Sequence, residues 1–217
     1  LCQAVVCGAP ALPMPHNPNP KPFDHTRSFG STSANWGAPQ AEFDVPYGNV
    51  AQNAGYALIA QRYAATYGYD ERALAKIAAD QRTNAQGNDK AVFCGQPINI
   101  DDVLQSRMIA DPLHILEIVM PCSGGSVVIL ANKELATRCQ NRPVHVTGCG
   151  ERLTTRSTTY AEDMTVTPVG PAAASAFAMS GKKPSDVDVL EAYDCYTITV
   201  MLTIEDGDDT DSRMDML

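Results

Sequence analysis

The 217-residue chain lacks the features that mark several large functional classes. No apolar run reaches the roughly 18 residues that a membrane-spanning helix needs, so no membrane span is expected. Lys and Arg total 16 against 25 Asp and Glu, and the densest basic pair, Lys182 and Lys183, stands alone. A formal net charge of -9 therefore disfavours binding to nucleic acid or to anionic lipid.

The seven cysteines form neither a disulfide framework nor a zinc-binding pattern. They are odd in number and scattered, no two have C-x-x-C spacing, and the four histidines lie far apart in the chain. We therefore expect reduced, mostly buried thiols in a cytoplasmic protein, and no metal site. The composition is that of a globular protein, with 44% hydrophobic and 19% charged residues.

The first half of the chain is predicted to be mainly helical after an initial strand. The predicted elements are a strand over 3–8, a long Pro-, Asn- and Gly-rich loop over about 9–46, helices over 51–67 and 71–85, and a short third helix ending near Ser106. Asp70 is expected to cap the second helix, and Asp101 or Asp102 the third.

The second half alternates strands with a helix, which indicates an α/β sheet. The predicted elements are strands over 126–132, 144–147 and 186–192 and an Ala-rich helix over 168–181. The run over 126–132 is continuously apolar, which is typical of a strand covered on both faces.

Residues 193–197 (Tyr-Asp-Cys-Tyr-Thr) directly follow the last predicted strand, at the edge of a sheet where α/β proteins bind ligands. A tyrosine hydroxyl there can act as a general acid or base, and a thiol can act as a nucleophile once it is ionised. The alternative is a strand-to-helix turn that only buries its aromatic side chains.

A second candidate segment is the Ser123-Gly124-Gly125 loop before the strand over 126–132. Glycine lets a backbone approach a ligand closely, and a hydroxyl or N–H groups can hold an oxyanion or a carbonyl oxygen. Glycine pairs before strands are also common in ordinary loops.

Three stretches together resemble the thiolase superfamily, in its branch of sterol-carrier and lipid-transfer proteins. Residues 55–93 resemble the family's helix pair with its Arg-x-Asn-Ala ending, residues 101–136 its Pro-Leu, small-residue loop and apolar strand, and residues 184–207 the start of its second half. The resemblance covers most of residues 45–207 and depends on the order and spacing of these motifs. It implies the α/β thiolase fold, layered αβαβα with two similar halves, only partly represented here.

The resemblance also implies a domain division. Residues 1–160 would be the latter part of the first thiolase half, including an inserted loop region over about 9–118, and residues 161–217 the start of the second half. By the family pattern, the nucleophilic cysteine is expected before Leu1 and a Gly-His-Pro region after Leu217. The chain is therefore expected to be an internal fragment, and the nucleophile is not assigned to Cys2.

The family's activity implies an enzyme that acts on acyl-CoA thioesters in lipid or sterol metabolism, either an acyltransferase or an aldolase. Tyr193 occupies the position of the family's catalytic Asn or His, and Asp194 and Cys195 complete the set of candidate catalytic residues. A phenol, with a reference pKa of about 10, is a poor base but a good proton donor. This favours retro-aldol cleavage of a β-hydroxyacyl-CoA, such as a steroid side chain, over thiolysis.

The small-residue loop departs from the family pattern, because Ser123 stands in place of an Asp and Gly125 in place of an Ala. Ser123, Gly124 and Gly125 are nevertheless expected to help hold the thioester. The resemblance also implies a homodimer or dimer of dimers, a small OB-fold partner that binds acyl-CoA, and no cofactor beyond the coenzyme A thioester itself.

Two other hypotheses remain open at this point. A non-catalytic acyl-CoA or lipid carrier, or a scaffold subunit, would bind ligand without turnover. A nonfunctional truncated fragment would aggregate, because part of a doubled sheet exposes apolar edges and faces.

Overall fold

The computed structural model describes residues 4–11, 45–49, 52–68, 70–120, 124–155 and 158–208. The strands are β1 (Ala4–Ala11), β2 (Met108–Ala110), β3 (Leu113–His114) and β4 (Gly124–Ala131). The α-helices are α1 (Gln52–Tyr67), α2 (Glu71–Ala85), α3 (Ile100–Leu104), α4 (Lys133–Ala136), α5 (Val169–Ser180) and α6 (Thr197–Gly207). Short 3₁₀ helices lie at Val45–Tyr47, Ile115–Glu117, Thr158–Tyr160 and Pro184–Asp186.

These elements form two compact units. The first contains the described residues of 1–21 and 120–147, and the second those of 22–119 and 148–217. The predicted division at residue 160, between two family halves, stays a prediction.

The first unit is an antiparallel pair of strands followed by a short helix. The register of β1 and β4 pairs Ala4 with Ala131 and Ala11 with Gly124. The Leu135 N–H donates to Oδ1 of Asn132 at 2.8 Å, which caps α4. The strands predicted over 3–8 and 126–132 are confirmed as β1 and β4, with bounds that differ by up to three residues.

The apolar centre of β4 is exposed, so the prediction that both faces of this strand are covered is wrong. Val127, Val128, Ile129 and Leu130 keep between 48% and 67% of their surface accessible. Consecutive residues of a strand point to opposite faces, so both faces are affected. A two-stranded pair has no second layer of its own to cover either face.

The second unit has its core where α1, α2 and α6 meet. Tyr63, Leu74, Leu113 and Ile198 are fully buried there. The Tyr63 hydroxyl donates to Oε1 of Glu205 at 2.5 Å, which joins α1 to α6 by a polar contact inside the core. A buried carboxylate needs such a partner, because its desolvation is otherwise unfavourable.

The helix boundaries follow the sequence signals. The helices predicted over 51–67 and 71–85 are confirmed as α1 and α2, and the Arg72 N–H donates to Oδ1 of Asp70 at 2.9 Å as expected for a cap. The cap of α3 was predicted wrongly. Asn99 is the N-cap, and Asp102 lies three residues later, where its carboxylate accepts from the Asn99 N–H at 2.8 Å.

Residues 144–147 and 186–192 do not form the predicted strands. Both segments are irregular, and Val144, Val146 and Val189 are 94%, 77% and 74% exposed. A β-rich composition makes a strand only beside a neighbour that completes the hydrogen-bond ladder, and no described strand pairs with either segment. Of the predicted loop over 9–46, residues 9–11 belong to β1 and residues 12–44 lie outside the described residues.

Helix α5 confirms the helix predicted over 168–181. Gly181, with φ of +68°, ends it in the left-handed conformation that glycine adopts without strain. The backbone N–H and the hydroxyl of Thr167 both donate to Oδ2 of Asp206 at 2.6 Å, which ties the start of α5 to the end of α6.

The chain passes unusually close to α5 at two glycines. A Cβ atom placed on Gly148 would lie 2.2 Å from the carbonyl oxygen of Ala176, and one placed on Gly150 would lie 1.9 Å from that of Ala172. Both distances are far inside van der Waals contact, and the obstacle is helix backbone that cannot rotate away. Only glycine fits at these two positions.

We expect Gly150→Ala to destabilise the protein by about 1–3 kcal/mol or more, because the new methyl group must displace α5 or the segment beside it. The free energy of unfolding from urea titration measures the effect. Gly55→Ala is the matched control, since Gly55 lies inside α1 with open space around it. It should stabilise by about 0.5–1 kcal/mol. Equal effects of the two substitutions would contradict the close approach.

Candidate active site

Residues 193–197 lie directly before and at the start of α6. The expected strand before them is absent, and a short antiparallel contact holds them instead. Tyr196 forms an isolated bridge with Ile118, and the Val119 N–H donates to the Cys195 carbonyl at 3.0 Å. The segment that follows β3 therefore fixes the backbone just before α6.

Tyr193 is the accessible side chain of this segment. It is 75% exposed, whereas Cys195 and Tyr196 are almost fully buried and Asp194 is half-buried. The phenol of Tyr193 can therefore reach a ligand without any rearrangement of the core.

Tyr196 is held by two residues of α1. Its ring stacks on the ring of Tyr56, with centroids 4.1 Å apart and an angle of 22° between the planes. Its hydroxyl donates to Oδ1 of Asn53 at 2.6 Å. Burial, with smaller contributions from Cys195 and Tyr193, raises the pKa of Tyr196 to about 12, so this phenol is neutral near pH 7.

Cys195 is enclosed by hydroxyl groups. Its Sγ lies 3.4 Å from Oγ1 of Thr199. Burial first, and then the neighbouring Cys195, raise the pKa of Tyr56 above its usual value. Because Cys195 is only 5% exposed, a ligand has little access to its thiol. Its catalytic assignment stays a prediction.

Asp194 contacts the second helix of the pair. Burial raises the pKa of its carboxyl, and a side-chain hydrogen bond from Gln81 of α2 offsets part of that rise. Asp194 is therefore easier to protonate than a surface aspartate, and it lies next to Tyr193 in the chain. Its catalytic assignment also stays a prediction.

The small-residue loop is described only in part. Ser123 lies outside the described residues, whereas Gly124 and Gly125 begin β4 and pair with Ala11 and Pro10. The expected role of these three residues in holding a thioester stays a prediction.

Sequence analysis missed three residues that contact the candidate site, Asn53, Tyr56 and Gln81. All three lie on α1 or α2, more than 110 positions before the residues that they contact, so no local motif connects the two regions. The available signal is the helical spacing of Tyr56, Tyr63 and Tyr67 on one face of α1, which is typical of core residues. These tyrosines do pack in the core, and the core at this point also supports the candidate site.

Buried hydrogen-bond contacts between His114 and Glu117 support the segment that bridges to Tyr196. Oε2 of Glu117 accepts from the His114 N–H at 2.7 Å and lies 3.2 Å from Nδ1 of the same histidine. Burial raises the pKa of the Glu117 carboxyl, although the His114 contacts oppose the rise. The Glu117 carboxyl is therefore easier to protonate than that of an exposed glutamate.

The four described cysteines with characterised side chains are free thiols. Cys94, Cys139 and Cys149 are exposed and Cys195 is buried, so the expectation of mostly buried thiols is wrong for them. Within the described ranges, no three His, Cys, Asp or Glu side chains gather as they do around a metal ion. No described helix combines the length and apolar composition needed to cross a bilayer.

Comparison with known proteins relates the chain to one protein family. The Thiolase C-terminal domain-like family model matches residues 150–208, which include residues 193–197 and α6. Acetyl-CoA acetyltransferase of Methanothermobacter thermautotrophicus is 31% identical over 152 residues, 70% of this chain and 39% of that protein. The chain is similar to proteins of the thiolase superfamily. The family resemblance of the three sequence stretches is thereby confirmed.

Another relative in the thiolase superfamily is the 17-hydroxy-3-oxo-4-pregnene-20-carboxyl-CoA lyase of Mycobacterium tuberculosis. It is 30% identical over 169 residues, 76% of this chain and 44% of that protein. The solved structure of an "Ltp2-ChsH2(DUF35) aldolase" matches with a TM-score of 0.77 and 25% identity, over 94% of this chain and 51% of that one. The thiolase-like fold is confirmed, and the chain spans less than half the length of both curated relatives.

We expect Glu117→Gln to gain stability relative to the natural protein as the pH rises. A carboxyl whose pKa is raised on folding stabilises most below its unfolded pKa of about 4.3, and this contribution is lost as the pH rises through the folded pKa. Glutamine does not ionise and has no such loss. Urea unfolding between about pH 4 and pH 7 measures the difference.

The control is Glu162→Gln, which removes the same charge from an exposed position. Its stability difference from the natural protein should vary less with pH. A difference for Glu117→Gln that stays constant, or that falls as the pH rises, would show that the buried carboxyl does not favour its neutral form.

Proposed function

We propose that this protein is an enzyme of lipid or sterol metabolism that acts on acyl-CoA thioesters and breaks a carbon–carbon bond next to the thioester. Within that class we propose retro-aldol cleavage of a β-hydroxyacyl-CoA. The names of two similar proteins, a carboxyl-CoA lyase and an aldolase, support this choice.

The observation that carries the proposal is the contrast between Tyr193 and its neighbours. Tyr193 presents an exposed phenol, whereas Tyr196 is almost fully buried and Tyr56 is partly buried. His114, on the segment that leads to the bridge with Tyr196, is buried and bonded to Glu117. Tyr193 is therefore the group best placed to move a proton on a substrate oxygen.

In the proposed reaction, the bond between the α and β carbons breaks while the β-hydroxyl proton passes to the Tyr193 oxygen, which releases its own proton to solvent. The β carbon becomes a ketone or aldehyde, and the electron pair passes to the α carbon as the enolate of the shortened acyl-CoA. A proton delivered to that carbon completes the products. Atoms and electrons balance with no oxidant, reductant or second substrate, and no cofactor beyond the CoA thioester is needed.

Acyl transfer is the second candidate, favoured by the identity to an acetyl-CoA acetyltransferase. It needs a thiolate nucleophile that the substrate can reach. Cys195, the cysteine in the candidate site, is buried and lies against Thr199, which favours the retro-aldol reaction over acyl transfer at this site.

We also propose a homodimer or dimer of dimers, a cytoplasmic location, and a small OB-fold partner that binds acyl-CoA. The partner is supported by the similar aldolase structure, whose name joins two proteins, Ltp2 and ChsH2. Ser123, Gly124 and Gly125 are proposed to hold the thioester.

We expect Tyr193→Phe to lower the turnover of a β-hydroxyacyl-CoA about 100- to 10,000-fold, because it removes the proton-transferring hydroxyl. The probe is a CoA thioester with its β-hydroxyl on a steroid ring carbon, and the measurement is release of ketone and shortened acyl-CoA by mass spectrometry. The substitution should not alter unfolding, since Tyr193 is largely exposed.

Tyr47→Phe is the matched control, because Tyr47 is 86% exposed and lies outside the candidate site. Thiolysis is assayed in parallel with a β-ketoacyl-CoA and free CoA. Thiolysis without retro-aldol cleavage would favour the acyltransferase. Binding of the steroid thioester with no turnover, unchanged in Tyr193→Phe, would favour a carrier.

A further inference from the structure

One hydrogen bond connects the candidate site to α1, and its partners lie 143 positions apart in the chain. The Tyr196 hydroxyl donates to Oδ1 of Asn53 at 2.6 Å, and the Tyr196 ring stacks on Tyr56 one helical turn further along. The two contacts constrain the ring at its polar end and across its face. Tyr196 is therefore fixed in both position and rotation by α1.

Tyr196 is also the residue that sets the course of the backbone on either side. Its main chain bridges to Ile118 and it is the N-cap residue of α6, with φ of -148° and ψ of 149°. Its side chain makes no capping hydrogen bond to the helix, so the polar contact of that side chain goes to Asn53 instead. The orientation of the chain three residues earlier, at Tyr193, depends on this anchored residue.

Tyr193 has no comparable support from burial, because it is 75% exposed. An exposed catalytic group reaches a reproducible position only if its backbone is held. Small errors matter here, because a displacement of about 1 Å can lower a reaction rate about 100-fold.

We propose that Asn53 is a positioning residue for Tyr193: its side-chain oxygen holds Tyr196, and Tyr196 holds the turn that presents the Tyr193 phenol. Asn53 does not contact the reacting atoms and acts through Tyr196. This inference rests on the proposed function, which assigns the proton transfer to Tyr193.

The test compares two substitutions of similar size at one position. Asn53→Asp keeps a side-chain oxygen that accepts from Tyr196, and an acidic residue in the first turn of a helix is favourable. Asn53→Leu has no acceptor. We expect Asn53→Leu to lower kcat about tenfold or more with KM within about twofold of the natural value, and Asn53→Asp to recover most of that loss.

Tyr196→Phe tests the route of the effect. It removes the donor of the same hydrogen bond and keeps the ring that stacks on Tyr56, so it should lower kcat as Asn53→Leu does. In the Tyr196→Phe protein, Asn53→Leu should cause little further loss, because the bond is already absent. Tyr196→Phe also serves if Asn53→Leu does not fold.

Hydrogen exchange of the backbone amides over 193–199 is the readout that does not require activity. Asn53→Leu should speed exchange there and Asn53→Asp should not. If the natural protein shows no turnover, the proposed function fails, and this exchange pattern alone decides whether Asn53 positions the turn. Equal exchange in the two variants would overturn the inference, as would equal kcat values in an active enzyme or an effect confined to KM.

Discussion

The candidate site depends on the burial of one aromatic ring, that of Tyr196, against α1. Because this ring is stacked on Tyr56 and bonded to Asn53, the residues just before α6 cannot move independently of the helix pair α1–α2. On α2, Gln81 lies close enough to Asp194 to lower the pKa of its carboxyl. The same helices form the core of the second unit through Tyr63 and Leu74. The stability of this unit and the geometry of the site are thus two results of one set of contacts.

Burial also divides the ionisable groups of the site by their chemistry. The phenols of Tyr56 and Tyr196 lose solvation, and their raised pKa values make them hydrogen-bond donors and not bases. Burial raises the pKa of Asp194, so this carboxyl is easier to protonate than that of a surface aspartate. By the family resemblance, Tyr193 is predicted to take the position of the family's imidazole or amide, beside a carboxyl and phenols whose pKa values are raised by burial.

Sequence reasoning was most accurate where structure is local. The bounds of α1, α2 and α5, the cap at Asp70 and the stop at Gly181 all follow from nearby residues, and each was predicted. It failed at 144–147 and 186–192, because a strand depends on a partner that can lie anywhere in the chain, and the described residues supply none. The site shows the same division. Residues 193–195 are recognised from the family pattern, whereas Asn53 and Tyr56 become visible only when the fold brings α1 to Tyr196.

The spacing of the two glycines that approach α5 matches the spacing of the helix carbonyl groups that they face. Two residues of an extended chain span about 7 Å, and the four residues from Ala176 back to Ala172 span about 6 Å of helix. The chain and the helix therefore run in opposite directions with contacts that coincide at both points. Sliding the chain by one residue would bring the side chain of Cys149 onto the helix carbonyls. The carbonyl groups of α5 thus fix which residues of the segment 148–150 can lie against the helix.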